Sequence, residues 1–255
     1  MGDLGIMRFE PSGPSATGLS SWDPIDPARL VAGSPERRGH VYHDRPDLGY
    51  RAGVWSCGAM TSRVEPQPGN EFVFVLEGSL AIAQPGRDDV AVRAGEGLVV
   101  PQGLRCSWKL PGRVRACFAR FEDRSGRAGK DPAALGAIRL EPAGPAAGLS
   151  PVAIANPEIY IGGVPRQRDH GYFEDATHQM FAGLWESTAF ERAPAPFPRN
   201  EIMCILEGSV TLTGADGVGE RFAAGDVAYV PMGARCAWKS SETVRKFYAI
   251  FQPVG

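Results

Sequence analysis

Two glutamates and two cysteines offer the plainest chemistry in this chain, because each pair recurs at one spacing. Glu71 lies in NEFVFVLEGSL and Glu201 in NEIMCILEGSV, each at the head of a run of strand-forming residues. Cys106 follows in GLRCSWK and Cys236 in GARCAWK, at the same distance from its glutamate (106 − 71 and 236 − 201 are both 35). A carboxylate carried inward on a strand needs a counter-charge, a metal or a proton, since an unpaired buried charge is costly. Any of these makes it a ligand or an acid–base group. A thiol beside a cation becomes a nucleophile, whereas a thiol without one is a small core hydrophobe. Both readings stand for Cys106 and Cys236. No paired histidine base accompanies them, and Arg105 and Arg235 just before them should face outward by strand alternation.

These residues recur because the whole chain recurs. The offset is 130 in both blocks (200 − 70 and 224 − 94), and it runs ungapped from Gly33/Gly163 through Trp55/Trp185 to Phe121/Phe251. GIMRFEPSGP from Gly5 matches GAIRLEPAGP from Gly136, one residue out of register. A fixed internal period marks a duplicated structural unit. Within each unit, runs such as FVFVLEG, SLAIAQ and GLVVPQG, bounded by glycine, proline and aspartate, predict short strands. Pro85-Gly86-Arg87-Asp88 and Gly214-Ala215-Asp216-Gly217 predict hairpin turns. Helical periodicity is weak. The chain therefore predicts two all-β barrels or sandwiches, spanning 5–128 and 136–255, joined by an Ala/Gly/Pro-rich linker at 129–135.

Composition narrows the class. With 43% hydrophobic and 22% charged residues and a formal net charge of −2, the chain reads as an ordinary globular protein with no basic run for nucleic acid. No apolar stretch is long enough to span a bilayer, and no signal-peptide pattern opens the chain. The five cysteines are odd in number and include no CxxC pair, which predicts reduced thiols and a cytoplasmic address. A small-molecule ligand is the expected partner, with neither nucleic acid nor membrane.

The glycine pattern resembles the cupins, jelly-roll barrels marked by G-x5-H-x-H-x3,4-E-x6-G and G-x5-P-x-G-x2-H. Glu71 to Gly78 and Glu201 to Gly208 fit E-x6-G; Gly95, Pro101, Gly103 and Gly225, Pro231, Gly233 fit the second motif. Trp238-Lys239 followed by Val244-Arg245-Lys246-Phe247-Tyr248 is similar to the cupin_3 branch, which includes ureidoglycine aminohydrolase-like and ethanolamine-utilisation-like proteins. The resemblance implies two tandem jelly rolls related by a pseudo-twofold axis. The tandem chain would reproduce internally a dimer that exchanges lead-in strands, as a monomer or a further homodimer. It also implies that the metal-ligand slots fall on Glu65, Gln67, Glu71 and Cys106 in the first copy and on Ala195, Phe197, Glu201 and Cys236 in the second.

Every slot histidine has thus been replaced. Three oxygen-bearing side chains and a sulfur could hold a hard cation such as manganese in the first barrel; alanine and phenylalanine leave the second barrel without metal. Strand alternation places Trp108 inward with Cys106, and Trp238 with Cys236. Lys246 on the last strand can neutralise Glu201, whereas the first copy has Ala116 there. His40 and His170 are equivalent positions ahead of the first core strand, and read as scaffold or as residues at a barrel mouth. The expected working site is the first barrel. Glu65 and Glu71 serve as acid–base groups or ligands with Gln67 and Cys106 lining the pocket, and the chemistry is non-oxidative: hydrolysis, isomerisation or lyase action on a small polar metabolite. The alternative is a bicupin that binds without turnover. The second barrel is expected to be plugged and apolar, with Glu71→Ala abolishing binding and Glu201→Ala mainly lowering stability.

Overall fold

The computed structural model describes residues 5–125 and 136–254, so the expected linker at 129–135 lies outside the described residues. Contacts divide the chain into two units, each a barrel of two antiparallel sheets. Among the described residues there is no α-helix, only three short 3-10 turns, and no helix is long and apolar enough to cross a membrane.

In the first unit a seven-stranded sheet carries, in spatial order, Ile138–Leu140, Gly97–Val100, Asn70–Glu77, Val114–Phe121, Tyr50–Cys57, Arg37–Arg45 and Ser20–Ser21. The facing sheet runs Val90–Arg93, Ser79–Ala83, Arg105–Leu110, Met60–Ser62 and Leu30–Gly33. The second unit repeats this order. Its larger sheet runs Met7–Arg8, Val227–Val230, Asn200–Glu207, Val244–Phe251, Met180–Ser187, Gln167–Glu174 and Ser150–Pro151, and its smaller one contains Phe190–Pro196 and Arg235–Ser240. The lead-in strands are traded. Met7–Arg8 pairs with Val227–Val230 of the second unit, and Ile138–Leu140 pairs with Gly97–Val100 of the first.

Two repeated features explain why these sequences turn where they do. Gly78 and Gly208, the last residues of E-x6-G, have φ of +79° and +71°, and a Cβ there would collide with the carbonyls of Arg113 and Thr243. Only glycine suits both demands. The asparagines that precede the two glutamates hold the P-x-G loop: Asn70 Oδ1 accepts from the Gln102 amide at 2.9 Å, and Asn200 Oδ1 from the Met232 amide at 3.1 Å. Beneath lie matching cores. Val73, Val75, Leu80, Ile82, Leu98 and Val100 fill the first, and Met203, Ile205, Val210, Leu212, Ala228 and Val230 the second. Full burial of each large aliphatic side chain contributes about 1.5–3 kcal/mol.

Candidate functional site

The first barrel holds a cavity of about 630 Å³ lined by Glu65, Gln67, Glu71, Cys106 and Trp108 together. The residues form a chain of hydrogen bonds. Trp108 Nε1 donates to Gln67 Oε1 at 3.3 Å, and Gln67 Nε2 donates to Glu71 Oε2 at 2.8 Å. Gln67 is itself buried and fixed through its backbone, donating to the Leu104 carbonyl and accepting from the Gly103 amide. Its orientation is therefore set, and it presents an N–H to the carboxylate.

The cations around Glu71 were not among the sequence-derived candidates. The ladder across three neighbouring strands sets Arg51 opposite Arg120 and Arg120 opposite Glu71. With Arg37, these arginines line the cavity, and among the described residues none of the three has a carboxylate in ion-pair contact. Arg37 donates instead to the Asp23 carbonyl at 2.9 Å and lies over the Trp22 ring at 5.5 Å. In all, five arginines (29, 37, 51, 63 and 120) face three acids (Asp23, Glu65 and Glu71) around this cavity. The interior is an electropositive basin containing one recessed carboxylate.

Burial raises the Glu71 carboxyl above its ordinary value, outweighing the pull of Arg120 and the Gln67 hydrogen bond. A raised folded-state pKa costs nothing below the unfolded value and costs most once the folded group has ionised. Glu71→Gln should therefore raise Tm at pH 8, by roughly 2–4 °C for each kcal/mol relieved, and leave it unchanged at pH 3.5. Calorimetric scans at the two pH values check this; a lower Tm for the variant at pH 8 would contradict it.

The donor set does not fit a metal. Glu65 is turned to Arg29, with Oε2 2.6 Å from Nη2, and Gln67 spends its oxygen on Trp108 and its N–H on Glu71. No group of three or more His, Cys, Asp or Glu comes together among the described residues. The four-residue ligand set anticipated for manganese is thus corrected: its members share a cavity but not a coordination centre. Cys106 is not a poised nucleophile either, because burial, reinforced by Glu71, pushes its thiol up to about 11. Cys236, which burial also pushes up to about 11, belongs to the second core rather than to a cavity wall.

The second barrel corrects another expectation, since it is not plugged. A cavity of about 350 Å³ is lined by Glu201, Lys246, Trp238 and Phe197, together with Arg192, Arg199, Asp169 and Tyr248. Lys246 Nζ donates to Glu201 Oε1 at 2.6 Å, as the resemblance implied, and Arg199 Nε holds the other oxygen at 3.1 Å. Burial alone would raise Glu201, but Lys246 and Arg199 outweigh it and hold the carboxyl below its usual range. Tyr248 Oη donates to Asp169 at 3.1 Å, and Gly183 leaves the room in which that hydroxyl sits. Phe197 fills a ligand slot with a ring, but the ring forms a wall, stacked on Trp238 with centroids 5.7 Å apart. His40 and His170 each meet a tyrosine edge-on, Tyr42 at 4.5 Å and Tyr172 at 4.6 Å, and neither lines a cavity.

One sequence signal leads to part of the missed set. Lys246 and Ala116 are equivalent, and residues at alternate positions on that strand share a face. Two and four positions on lie Tyr248 and Ile250 in the second copy, and Phe118 and Arg120 in the first; all four line cavities.

Comparison with known proteins agrees with the fold. The family model described as an EutQ-like cupin domain matches residues 46–115 and 174–248. No curated protein matches the chain. Among solved structures, the chain is similar to a protein of unknown function from Pseudomonas syringae pv. tomato, at 28% identity and a TM-score of 0.80, over 97% of this chain and 100% of that one. A cupin 2 conserved barrel domain protein from Leptotrichia buccalis is 14% identical with a TM-score of 0.57, over 91% and 98%. A salicylate 1,2-dioxygenase from Pseudaminobacter salicylatoxidans is 15% identical with a TM-score of 0.53, over 84% and 76%. The last two likenesses show the fold alone.

Proposed function

This chain belongs to the EutQ-like cupin family, and we propose that its first barrel binds a small, polar, anionic metabolite and acts on it by proton transfer. The observation that carries this reading is the trio Arg37, Arg51 and Arg120, without an ion-pair contact among the described residues and set around Glu71 in one cavity. Guanidinium groups offer paired N–H donors that match carboxylates, so an acid with two carboxyl groups suits the trio best. Glu71, its carboxyl raised by burial and an N–H donor fixed on one oxygen, is suited to take or give a proton. The chemistry is then of hydrolase, isomerase or lyase type, and it asks for neither nucleic acid nor a membrane.

Binding without turnover is the second reading. It is favoured by the pairing of Glu65 with Arg29, which leaves Glu71 without a second acid–base carboxylate beside it. Both readings share a first test, a thermal-shift screen of small mono- and dicarboxylates. A ligand at 100 times its Kd stabilises the folded state by about 2.7 kcal/mol, so at least one dicarboxylate should raise Tm clearly in the native protein and fail to do so in Arg120→Met. A panel with no effect, or a shift that persists in Arg120→Met, would remove the proposal.

A further inference from the structure

The second barrel carries a cation set that the first does not share. Arg192, Arg199 and Lys246 stand where the first copy has Ser62, Gly69 and Ala116, while Arg37, Arg51 and Arg120 are replaced in the second copy by Gln167, Phe181 and Ile250. Each copy has placed its positive charge at different positions of the same shell. The second set is therefore not a remnant of the first.

Within it, Lys246 and Arg199 are committed to the two oxygens of Glu201. Asp169 is held by the Tyr248 hydroxyl. Arg192 remains: three cations face two carboxylates, and among the described residues Arg192 has no ion-pair partner. Its Nε is buried without a hydrogen-bond acceptor. The guanidinium lies 5.8 Å from the Phe197 ring centre and 5.5 Å from that of Trp238, so aromatic faces hold it in place. Trp238, directly opposite Arg192 in the sheet register, supplies a second orphan. The side chain is only 6% exposed, and its Nε1 also lacks a hydrogen-bond acceptor of normal geometry. The Cys236 thiol, a weak acceptor, is the neighbour that feels it. Two buried donors left unsatisfied side by side are uncommon in folded proteins. The remaining walls are Phe181, Trp185 and Phe190 with Tyr160 and Ile250, and Gln167 and Gln252 add polar edges.

We propose that the second barrel is a separate binding site for a small monocarboxylate with a flat apolar body, its carboxylate received by the Arg192 guanidinium and its body lying against the Trp238 and Phe197 rings. The excess of one positive charge sets the ligand at a single negative charge, and the aromatic walls favour a ring over a polar chain. The two barrels would then differ in ligand class, the first taking the more highly charged molecule.

Benzoate is the probe. Isothermal titration of the intact protein with benzoate should give saturable binding, with benzyl alcohol at least tenfold weaker because it lacks the charge. Arg192→Met should weaken benzoate at least tenfold. Trp238→Phe, which removes the N–H and shrinks the aromatic wall, should weaken it severalfold while thermal unfolding stays cooperative, so a folding defect is told apart from a lost contact. Arg120→Met, with the first site disabled, should still bind benzoate. The proposal is overturned if benzoate does not bind, if benzyl alcohol binds equally well, if Trp238→Phe folds and binds unchanged, or if affinity is lost in Arg120→Met instead.

Discussion

Lys246→Met should destabilise the second barrel by about 3–5 kcal/mol, the usual cost of stripping one partner from a buried ion pair. Lys246 and Glu201 are both almost fully buried and meet at 2.6 Å, and Arg199 on the other oxygen is partly exposed and compensates incompletely. Tm should fall by roughly 2–4 °C for each kcal/mol lost. The doubly neutral variant Lys246→Met/Glu201→Gln should recover most of the loss, because no charge is then left to bury. The depressed Glu201 carboxyl adds a pH signature. Its stabilisation is present above the unfolded carboxylate pKa and lost as pH falls through the lower folded value, so the native protein and the double variant should converge in acid. Calorimetry of the three proteins checks this; a single variant within 1 kcal/mol of the native protein would mean that Arg199 alone suffices.

Glu71→Gln should lower turnover of the first-barrel substrate by about 10²–10⁴-fold, the range in which a positioned acid–base group acts. Binding should survive, because glutamine keeps an acceptor for the Gln67 N–H and the three arginines remain. The split between kcat and affinity separates a proton-transfer role from a role in holding the ligand. Steady-state kinetics with the carboxylate found by the thermal-shift screen provides the measurement. Undiminished turnover in the variant removes the acid–base role, and native protein that binds but never turns over establishes the binding-only reading.

The parts legible in the sequence were those that the repeat or a motif pinned to a strand face. E-x6-G fixed Glu71 and Glu201 at the head of a strand, and alternation brought Trp108 inward with Cys106. The Lys246–Glu201 pair followed from the family resemblance, which places a lysine on the last strand. The arginines were hidden for a physical reason. A lone arginine in a strand is ordinarily a solvent residue, and Arg51, Arg120 and Arg192 differ from Arg105 and Arg235 only in the face they occupy. That face depends on pairing register, and for Arg192 on the β-bulge between it and Ala195. Glu65 escaped for another reason. Its partner Arg29 is 36 residues away on a lead-in segment, and no local pattern joins the two. Phe197 shows the limit of reading by slot: a ring in a ligand position reads as filler, whereas it stacks on Trp238 and walls a cavity.

The central claim is that the first barrel recognises an anion with its own arginines and without a metal. Isothermal titration with the best dicarboxylate of the screen, on EDTA-treated protein and again with Mn²⁺ added, tests it most directly. The account predicts equal affinity in both conditions and at least tenfold weaker binding in Arg120→Met. Binding that appears only with Mn²⁺, or that is indifferent to Arg120, would contradict it.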